Sequence, residues 1–387
     1  MKLFIDAFNI RGGGGITHLS EILNAFCPFQ HDISKIYLCA FNDKITSFPD
    51  YKWIEKVSIK FNRNNSFTRF YWHQHRLNIL LTKLAPDIIF SPGGILPPKI
   101  SIPAVTMSQN LQPFDASTKK LYRALVLRQR LKMQSRYFLV KNFQKRAFKV
   151  SDGIIFLTEH GKRLVLNNIG DVKGKIAVIP HGINTRFLKR PRKQKHLSSY
   201  SEQRPFKFLY VSTINVYKHQ WNVAEAVLNL RQRGLPVAVD FVGPSFSGIE
   251  RLENVFSRSG AHNNFIRYLG AVPYAELQKH YFAADAFVFA SSCETFGQVL
   301  LEAMAAGLPI ASSGLQPMKE ILGRSAIFFN PADVSEITHS LNQLATDTHL
   351  RNSLSMNGYQ SALNFSWRGC AQTTFKFIEK VYNEIPN

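Results

Sequence analysis

Residues 291–310 read Ser-Ser-Cys-Glu-Thr-Phe-Gly-Gln-Val-Leu-Leu-Glu-Ala-Met-Ala-Ala-Gly-Leu-Pro-Ile. The apolar run Ala286-Phe-Val-Phe-Ala290 before them is what a buried parallel strand requires. Glu294 falls at the strand exit and Thr295-Phe-Gly297 turns the chain. Good helix formers fill Gln298 to Ala306, and Gly307-Leu-Pro309 stops them, as a glycine followed by proline does. A second short strand starts at Leu308-Pro-Ile-Ala311. The predicted unit is strand, loop, helix, strand.

The unit carries two carboxylates eight residues apart, Glu294 and Glu302. Glu294 falls at the carboxyl edge of the sheet, where open α/β folds bind ligands. The helix start offers free N–H groups and a positive dipole end, which suit a diphosphate. Glu302, one or two turns in, can accept hydrogen bonds from both hydroxyls of a ribose, and Glu294 then faces whatever lies beyond the phosphates. The competing assignment makes Glu294 loop decoration and Glu302 the partner of a surface cation, since charged side chains are mostly exposed. Glu-x7-Glu within Glu-Thr-Phe-Gly and Leu-Glu-Ala-Met-Ala-Ala-Gly-Leu-Pro resembles the donor-site signature of retaining glycosyltransferases of GT-B fold, family 4.

The composition sets outer bounds. A chain of 387 residues exceeds one comfortable core, so two domains are expected. Its four cysteines (Cys27, Cys39, Cys293, Cys370) form no CxxC pair, which fits a reducing compartment. The chain opens directly on a strand, Lys2-Leu-Phe-Ile-Asp6, with no signal segment, and no apolar run approaches membrane-spanning length. A net charge of +22 calls for an anionic partner: a nucleotide, a nucleic acid or an acidic lipid surface.

In the first half, strands are predicted at Met1–Ala7, Ile36–Ala40, Trp53–Ile59, Asp87–Phe90, Ala104–Met107, Gly153–Leu157 and about Lys175–Ile179. Four glycines, Gly12 to Gly15, follow the first strand, and their entropic cost in a helix places them in a loop before a helix over Ile16–Phe26. The run is neither GxGxxG nor a Walker loop, which disfavours dehydrogenases and P-loop NTPases. The family resemblance implies a glycine loop here that faces the cleft, with Gly13, Gly14 and Gly15 as its matches. Ser91-Pro-Gly-Gly94 is a second strand-exit loop, and Tyr71-Trp-His-Gln-His75 falls in a helix over Phe67–Leu84, where the histidines read as surface or packing residues rather than metal ligands. Asn110 stands where the family often has a histidine near the reacting sugar; its amide bonds but carries no proton at neutral pH. Ser117 to Val150 holds eleven Lys/Arg and no acid, with Met133, Tyr137, Val140, Phe143 and Ala147 at helical spacing. It is either a solvated basic face or an element for an anionic membrane surface.

In the second half, strands are predicted at Phe206–Ser212, Pro236–Gly243, Asn264–Gly270 and Ala326–Phe329, with helices after Lys218-His219, over Val272–Asp285 and over Asp333–Ala345. Lys175-Ile-Ala-Val-Ile-Pro-His-Gly-Ile-Asn184 resembles the family's closing strand and Pro-His-Gly turn, and the polar stretch 185–205 reads as a basic linker. Lys218 can neutralise diphosphate oxygens as a compact charge. The family usually places an arginine five residues earlier, where this chain has Thr213. Either another cation compensates or phosphate is held more weakly.

The resulting expectation is an α/β protein with two Rossmann-like doubly wound domains facing a central cleft: an acceptor domain over 1–184, a donor domain over 206–365, and a helix over 366–387 packing back on the first. The resemblance implies a retaining transferase with Glu294, Lys218 and Asn110 in catalytic positions. Glu302, Ser212, Thr213, Gly243, Thr295, Phe296, Gly297 and Gln298 take the donor, a GDP- or UDP-sugar. With no Asp-x-Asp pair, neither metal nor cofactor is expected. The acceptor is expected to be a lipid-linked glycan of O-antigen or capsule assembly, used by a cytoplasmic protein peripheral to the inner face of the membrane through its basic 117–150 region. The alternatives are a nucleotide-sugar epimerase or hydrolase of the same fold, and a basic nucleic-acid-binding protein, which leaves Glu294 and Glu302 unexplained.

Overall fold

The computed structural model describes residues 1–10, 13–59, 72–116, 127–260 and 264–384. The chain divides into two units. The first comprises Met1–Phe114, Leu131–Gly182 and Ser366–Asn387; the second comprises Asp115–Arg130 and Ile183–Phe365.

The first unit is built on seven parallel strands: β1 (Lys2–Asp6), β2 (Lys35–Phe41), β3 (Ile54–Ile59), β4 (Ile88–Ser91), β5 (Ala104–Ser108), β6 (Gly153–Phe156) and β7 (Lys175–Val178). Their order is β3-β2-β1-β4-β5-β6-β7. The central strands are apolar runs because helices cover both faces, and Phe4, Ile89 and Ile154 are fully buried. The second unit has six parallel strands: β8 (Phe206–Val211), β9 (Val237–Val242), β10 (Ile266–Tyr268), β11 (Ala286–Phe289), β12 (Ile310–Ser313) and β13 (Ala326–Phe329). Their order is β10-β9-β8-β11-β12-β13. Each unit is therefore a doubly wound α/β sheet. Strand order reverses between β1 and β4 in one and between β8 and β11 in the other, the places where such sheets bind ligands.

Several local expectations change. Gly14 and Gly15 start the first helix, Gly14–Ala25, rather than preceding it. Gly13 at its N-cap has φ 58°, so the conformational demand falls on one glycine. Gly12 and residues 67–71 lie outside the described residues, and the remainder of the second predicted helix runs through Trp72–Arg76 into Leu77–Leu84. Val272–Asp285 shortens to a 3₁₀ turn at Tyr274–Glu276 and a helix at Leu277–Ala283. A helix at Thr348–Ala362 was not predicted from the sequence.

The polar stretch 185–205, read above as a basic linker, belongs to the second unit. Lys189 N–H donates to Ala305 O at 2.9 Å, and Arg192 and Tyr200 both bond the Asp285 carboxylate. The fully buried Arg351 donates to Gln194 Oε1 (3.2 Å), Lys195 O (2.5 Å), and the helix-end carbonyls of Leu344 and Ala345 (2.6 and 2.8 Å). The helix Trp367–Asn383 belongs to the first unit, where Glu379 accepts from Asp32 N–H at 2.6 Å.

Candidate active site

In the second unit the β8 and β11 exits are neighbours, because β8 pairs with β11 directly (Phe208 with Ala286, Leu209 with Phe287). The β8 exit runs Ser212 to His219 into the helix Gln220–Gln232; the β11 exit runs Ala290 to Gly297 into the helix Gln298–Ala305. Tyr210 ties the two together: its hydroxyl donates to Lys218 O and accepts from Ala290 N–H (3.1 Å). Ser292 N–H donates to Tyr217 O at 2.8 Å. The consequence is that Lys218 Nζ donates directly to Glu294 Oε1. Both side chains are largely sheltered, 9% and 15% exposed, and the ammonium also lies 4.9 Å from the Phe289 ring centroid. Two candidates 76 residues apart in the sequence thus form one ion pair.

His219, which follows Lys218, has φ 50°, in the left-handed region that side chains other than glycine avoid. Its Nε2 meets Ser292 Oγ, which fixes the strained residue against the β11 exit. Burial, followed by the nearby Arg251 cation, lowers its pKa to about 4, so the ring is neutral at pH 7.

The remaining donor candidates divide into contact and scaffold. Ser212 Oγ accepts from Gln220 Nε2 (2.8 Å), which also bonds Thr213 O (3.0 Å), so Ser212 and the Thr213 carbonyl are internal struts of the loop. Gly243 has φ 141°, and a Cβ there would meet Ser212 O at 2.1 Å; the glycine lets the β8 and β9 exits touch. Phe296 is buried against Phe365 (6.2 Å, T-shaped), and Thr295 and Gln298 flank the helix start, where Gly297 has φ 90°.

Glu302, the ribose candidate, lies in an enclosed setting. It is 2% exposed, and Oε2 accepts from Tyr281 Oη at 2.8 Å. Arg186 stacks 3.8 Å over Tyr274 in the same cluster. Burial pushes the Glu302 pKa up to about 7, with the Tyr281 hydroxyl, the Arg186 charge and Tyr274 pulling back. Arg186, Tyr274 and Tyr281 were not singled out as partners of Glu302, because they come from three separate elements that only the fold assembles.

In the first unit, the β1, β4 and β5 exits are packed edge to edge. A Cβ on Gly93 would lie 2.8 Å from Asn9 Cβ, and one on Gly15 would lie 3.1 Å from Gln109 Oε1, whereas Gly13 and Gly14 face open space. Asn110 Oδ1 accepts from Gln112 N–H (3.2 Å), so part of its amide shapes the turn. Next to it, Gln109 Nε2 reaches His18 Nδ1 at 3.2 Å. His18 packs edge-on against His181 of the Pro-His-Gly turn (4.6 Å) and 5.8 Å from Trp367, and burial lowers its pKa to about 3. Of the two roles read for it, surface or packing, His73 takes the second: it is buried and bonds Asp6 Oδ2 at the end of β1 (3.1 Å).

The basic helix Leu127–Val150 reverses the expectation for its apolar stripe. Tyr137 and Ala147 are buried, with Tyr137 Oη donating to Gln112 Oε1 at 2.6 Å, so that stripe faces protein. The exposed apolar residues are instead Leu131 (56%), Phe138 (68%) and Leu139 (53%), on a common face at i, i+7 and i+8. Residues 117–126 of the basic region lie outside the described residues. None of the described helices is long and apolar enough to cross a membrane.

Solved structures share this architecture. Sucrose-phosphate synthase from Thermosynechococcus elongatus superposes with a TM-score of 0.76 at 16% identity, covering 99% of each chain. WaaG, a glycosyltransferase involved in lipopolysaccharide biosynthesis, gives 0.73 at 15%, covering 98% of this chain and 99% of the other. The fold is that of the GT-B glycosyltransferases, two Rossmann-like units in one chain. The family model for glycosyl transferases group 1 matches residues 191–361, and that for glycosyltransferase family 4 matches residues 12–187. The chain belongs to the group 1 glycosyltransferases of GT-B fold. Among curated proteins, the Escherichia coli O-antigen chain mannosyltransferase B is 36% identical over 115 residues, which is 30% of each chain. The matched stretch therefore spans about a third of that relative's length.

Proposed function

We propose that this protein is a retaining glycosyltransferase. It moves a hexose or deoxyhexose from a GDP- or UDP-sugar to a glycan acceptor in bacterial surface polysaccharide assembly. The observation that carries this reading is the Lys218–Glu294 pair at the β8/β11 switch point, within a chain of this family. The O-antigen mannosyltransferase among its relatives supports the polysaccharide context.

Lys218 is assigned to the donor diphosphate, where a fixed charge stabilises the negative charge that grows as the sugar departs. Backbone amides at Phe296 to Gln298 supply further donors, and Glu294 holds hydroxyls of the transferred sugar. Glu302 takes the ribose, whose hydroxyls replace tyrosine as partners of the carboxylate. A glycosidase-type double displacement calls for two carboxylates flanking the scissile bond, and the one carboxylate assigned to the sugar here, Glu294, is paired with Lys218. In the front-face alternative, the anomeric C–O bond to phosphate breaks as the acceptor oxygen bonds the same face. The acceptor proton passes to the leaving phosphate, so Asn110 need only position the acceptor.

The acceptor is read as lipid-linked, and the protein as peripheral at the cytoplasmic face of the membrane. Support comes from Leu131, Phe138 and Leu139 standing exposed on a helix whose other exposed residues include Arg136, Arg146 and Lys149. Incubation with UDP- and GDP-sugars and a lipid-linked oligosaccharide extract, read by mass spectrometry, tests the whole reading. One added hexose or deoxyhexose with an anomeric configuration matching the donor is the predicted product. Turnover of the sugar nucleotide without an acceptor would favour the epimerase or hydrolase instead.

A further inference from the structure

The Lys218–Glu294 pair is net neutral. From Ser212 to His219 the β8 exit holds no other cation than Lys218, since His219 is neutral at pH 7. A diphosphate bound there would bring more negative charge than this loop balances.

The next strand exit supplies what is missing. The loop after β9, Pro244 to Gly248, is zipped onto the β8 exit. Ile214 N–H donates to Pro244 O (2.8 Å), Phe246 and Ser247 N–H both donate to Ile214 O (3.0 and 3.2 Å), and Ser247 Oγ donates to Asn215 Oδ1 (3.2 Å). Gly248, at φ 83°, closes against Trp221, with 3.3 Å between the position of a Cβ and Trp221 Cζ3. These contacts fix the first turn of the helix Ile249–Arg258 beside the first turn of Gln220–Gln232.

Arg251 lies on that turn, its guanidinium carbon 4.7 Å from the centroid of Trp221. Trp221 in turn is 5.6 Å from His219, whose Nε2 meets Ser292 Oγ, two residues before Glu294. Arg251, Trp221, His219 and Ser292 thus form a continuous chain of contacts into the β11 exit. Among the described residues Arg251 has no carboxylate partner, and its side chain is exposed. Trp221 packs one side of the exposed guanidinium, and an arginine so held can still take phosphate oxygens.

We propose that Arg251 is the second cation of the donor site, binding the diphosphate from the β9 exit opposite Lys218. The proposal rests on the donor-site reading above and adds the residue that balances its charge. It explains how a neutral lysine–glutamate pair can still receive a dianionic group.

Calorimetric titration with UDP, GDP, uridine and guanosine tests it in the full chain, for the wild type, Arg251→Gln, Arg251→Lys and Lys218→Gln. The expected result is a loss of about tenfold in affinity for the preferred nucleoside diphosphate in Arg251→Gln. Affinity for the matching nucleoside stays unchanged, and Arg251→Lys recovers part of the loss. Because Arg251 is exposed, the variant should melt with the wild type, which separates binding from folding. Wild-type diphosphate affinity in Arg251→Gln alongside a loss in Lys218→Gln would overturn the assignment of Arg251 and leave the donor site standing. Equal losses for diphosphate and nucleoside would also overturn it, by making Arg251 a packing residue. Failure of the wild type to bind either diphosphate would remove the proposal together with the donor-site reading.

Discussion

Lys218 and Glu294, 76 residues apart in the chain, meet as an ion pair at adjacent strand exits of the second sheet. The pair makes each residue's substitution a statement about both. In Glu294→Gln the ammonium loses its partner, so free UDP or GDP should bind as well as or better than in the wild type. Transfer should fall by roughly two orders of magnitude or more, the scale of losing a group that acts at the reacting centre. Steady-state transfer set beside calorimetric affinity checks this, and weakened nucleotide binding with intact turnover would exchange the two roles.

Glu302 makes stability depend on pH in a specific direction. Its folded pKa of about 7 lies above the ordinary 4.5, so the folded state holds a proton that the unfolded chain releases between those values. The stability this lends is present below pH 4.5 and is lost as pH rises through 7. Glu302→Gln removes the titration. Its melting temperature, compared with the wild type at each pH, should gain progressively from pH 5 to pH 8. A constant difference across that range would contradict the buried, proton-holding carboxylate.

His219 carries backbone strain at φ 50°. Replacement by alanine loses the Ser292 contact and keeps the strain, whereas glycine loses the contact and relieves it. His219→Gly should therefore be more stable than His219→Ala by about 1 kcal/mol, the reverse of the usual order. Chemical denaturation of the two variants decides the point.

Arg351 replaces what a helix C-cap and a linker anchor would otherwise supply. Removing it in Arg351→Met strands the carbonyls of Leu344 and Ala345 in the interior and frees that of Lys195. A cost of about 3 kcal/mol or more is expected, seen as a lower melting temperature of the second unit. Proteolysis within 185–205 should rise in parallel, because Gln194 and Lys195 lose their hold on the domain.

Phe138→Asp combined with Leu139→Asp tests the exposed face of the basic helix. Both side chains point to solvent, so folding should be unaffected, while co-sedimentation with vesicles of anionic lipid should drop several-fold. Unchanged sedimentation would assign the basic helix to solvent alone.

Most of the architecture was legible because parallel strands buried on both faces are short apolar runs. Phe206–Val211 and Ala286–Phe289 are of this kind and lie within a residue of their predicted ends. The helix Thr348–Ala362 escaped for the opposite reason: its buried face is Arg351, Leu354, Ser355, Gly358 and Ala362, a stripe that apolar periodicity does not register. Asp333 could be placed as a helix start, since capping is local chemistry, and its side chain accepts from the first turn. Glu294, Glu302 and Lys218 could be found because they sit in motifs. Arg186, Tyr281 and Arg251 could not, since each acquires its meaning from a partner on a different element. The apolar stripe of the basic helix was visible, but sequence alone did not tell whether protein or solvent covered it.

The most direct test of the account is calorimetric titration of the wild type and Lys218→Gln with UDP, GDP and ADP. The wild type is expected to bind UDP or GDP selectively, and Lys218→Gln to weaken this about tenfold or more, with the corresponding nucleoside unaffected. Binding of none of the three by the wild type, or equal binding by both proteins, would contradict the placement of the donor diphosphate at the Lys218–Glu294 pair.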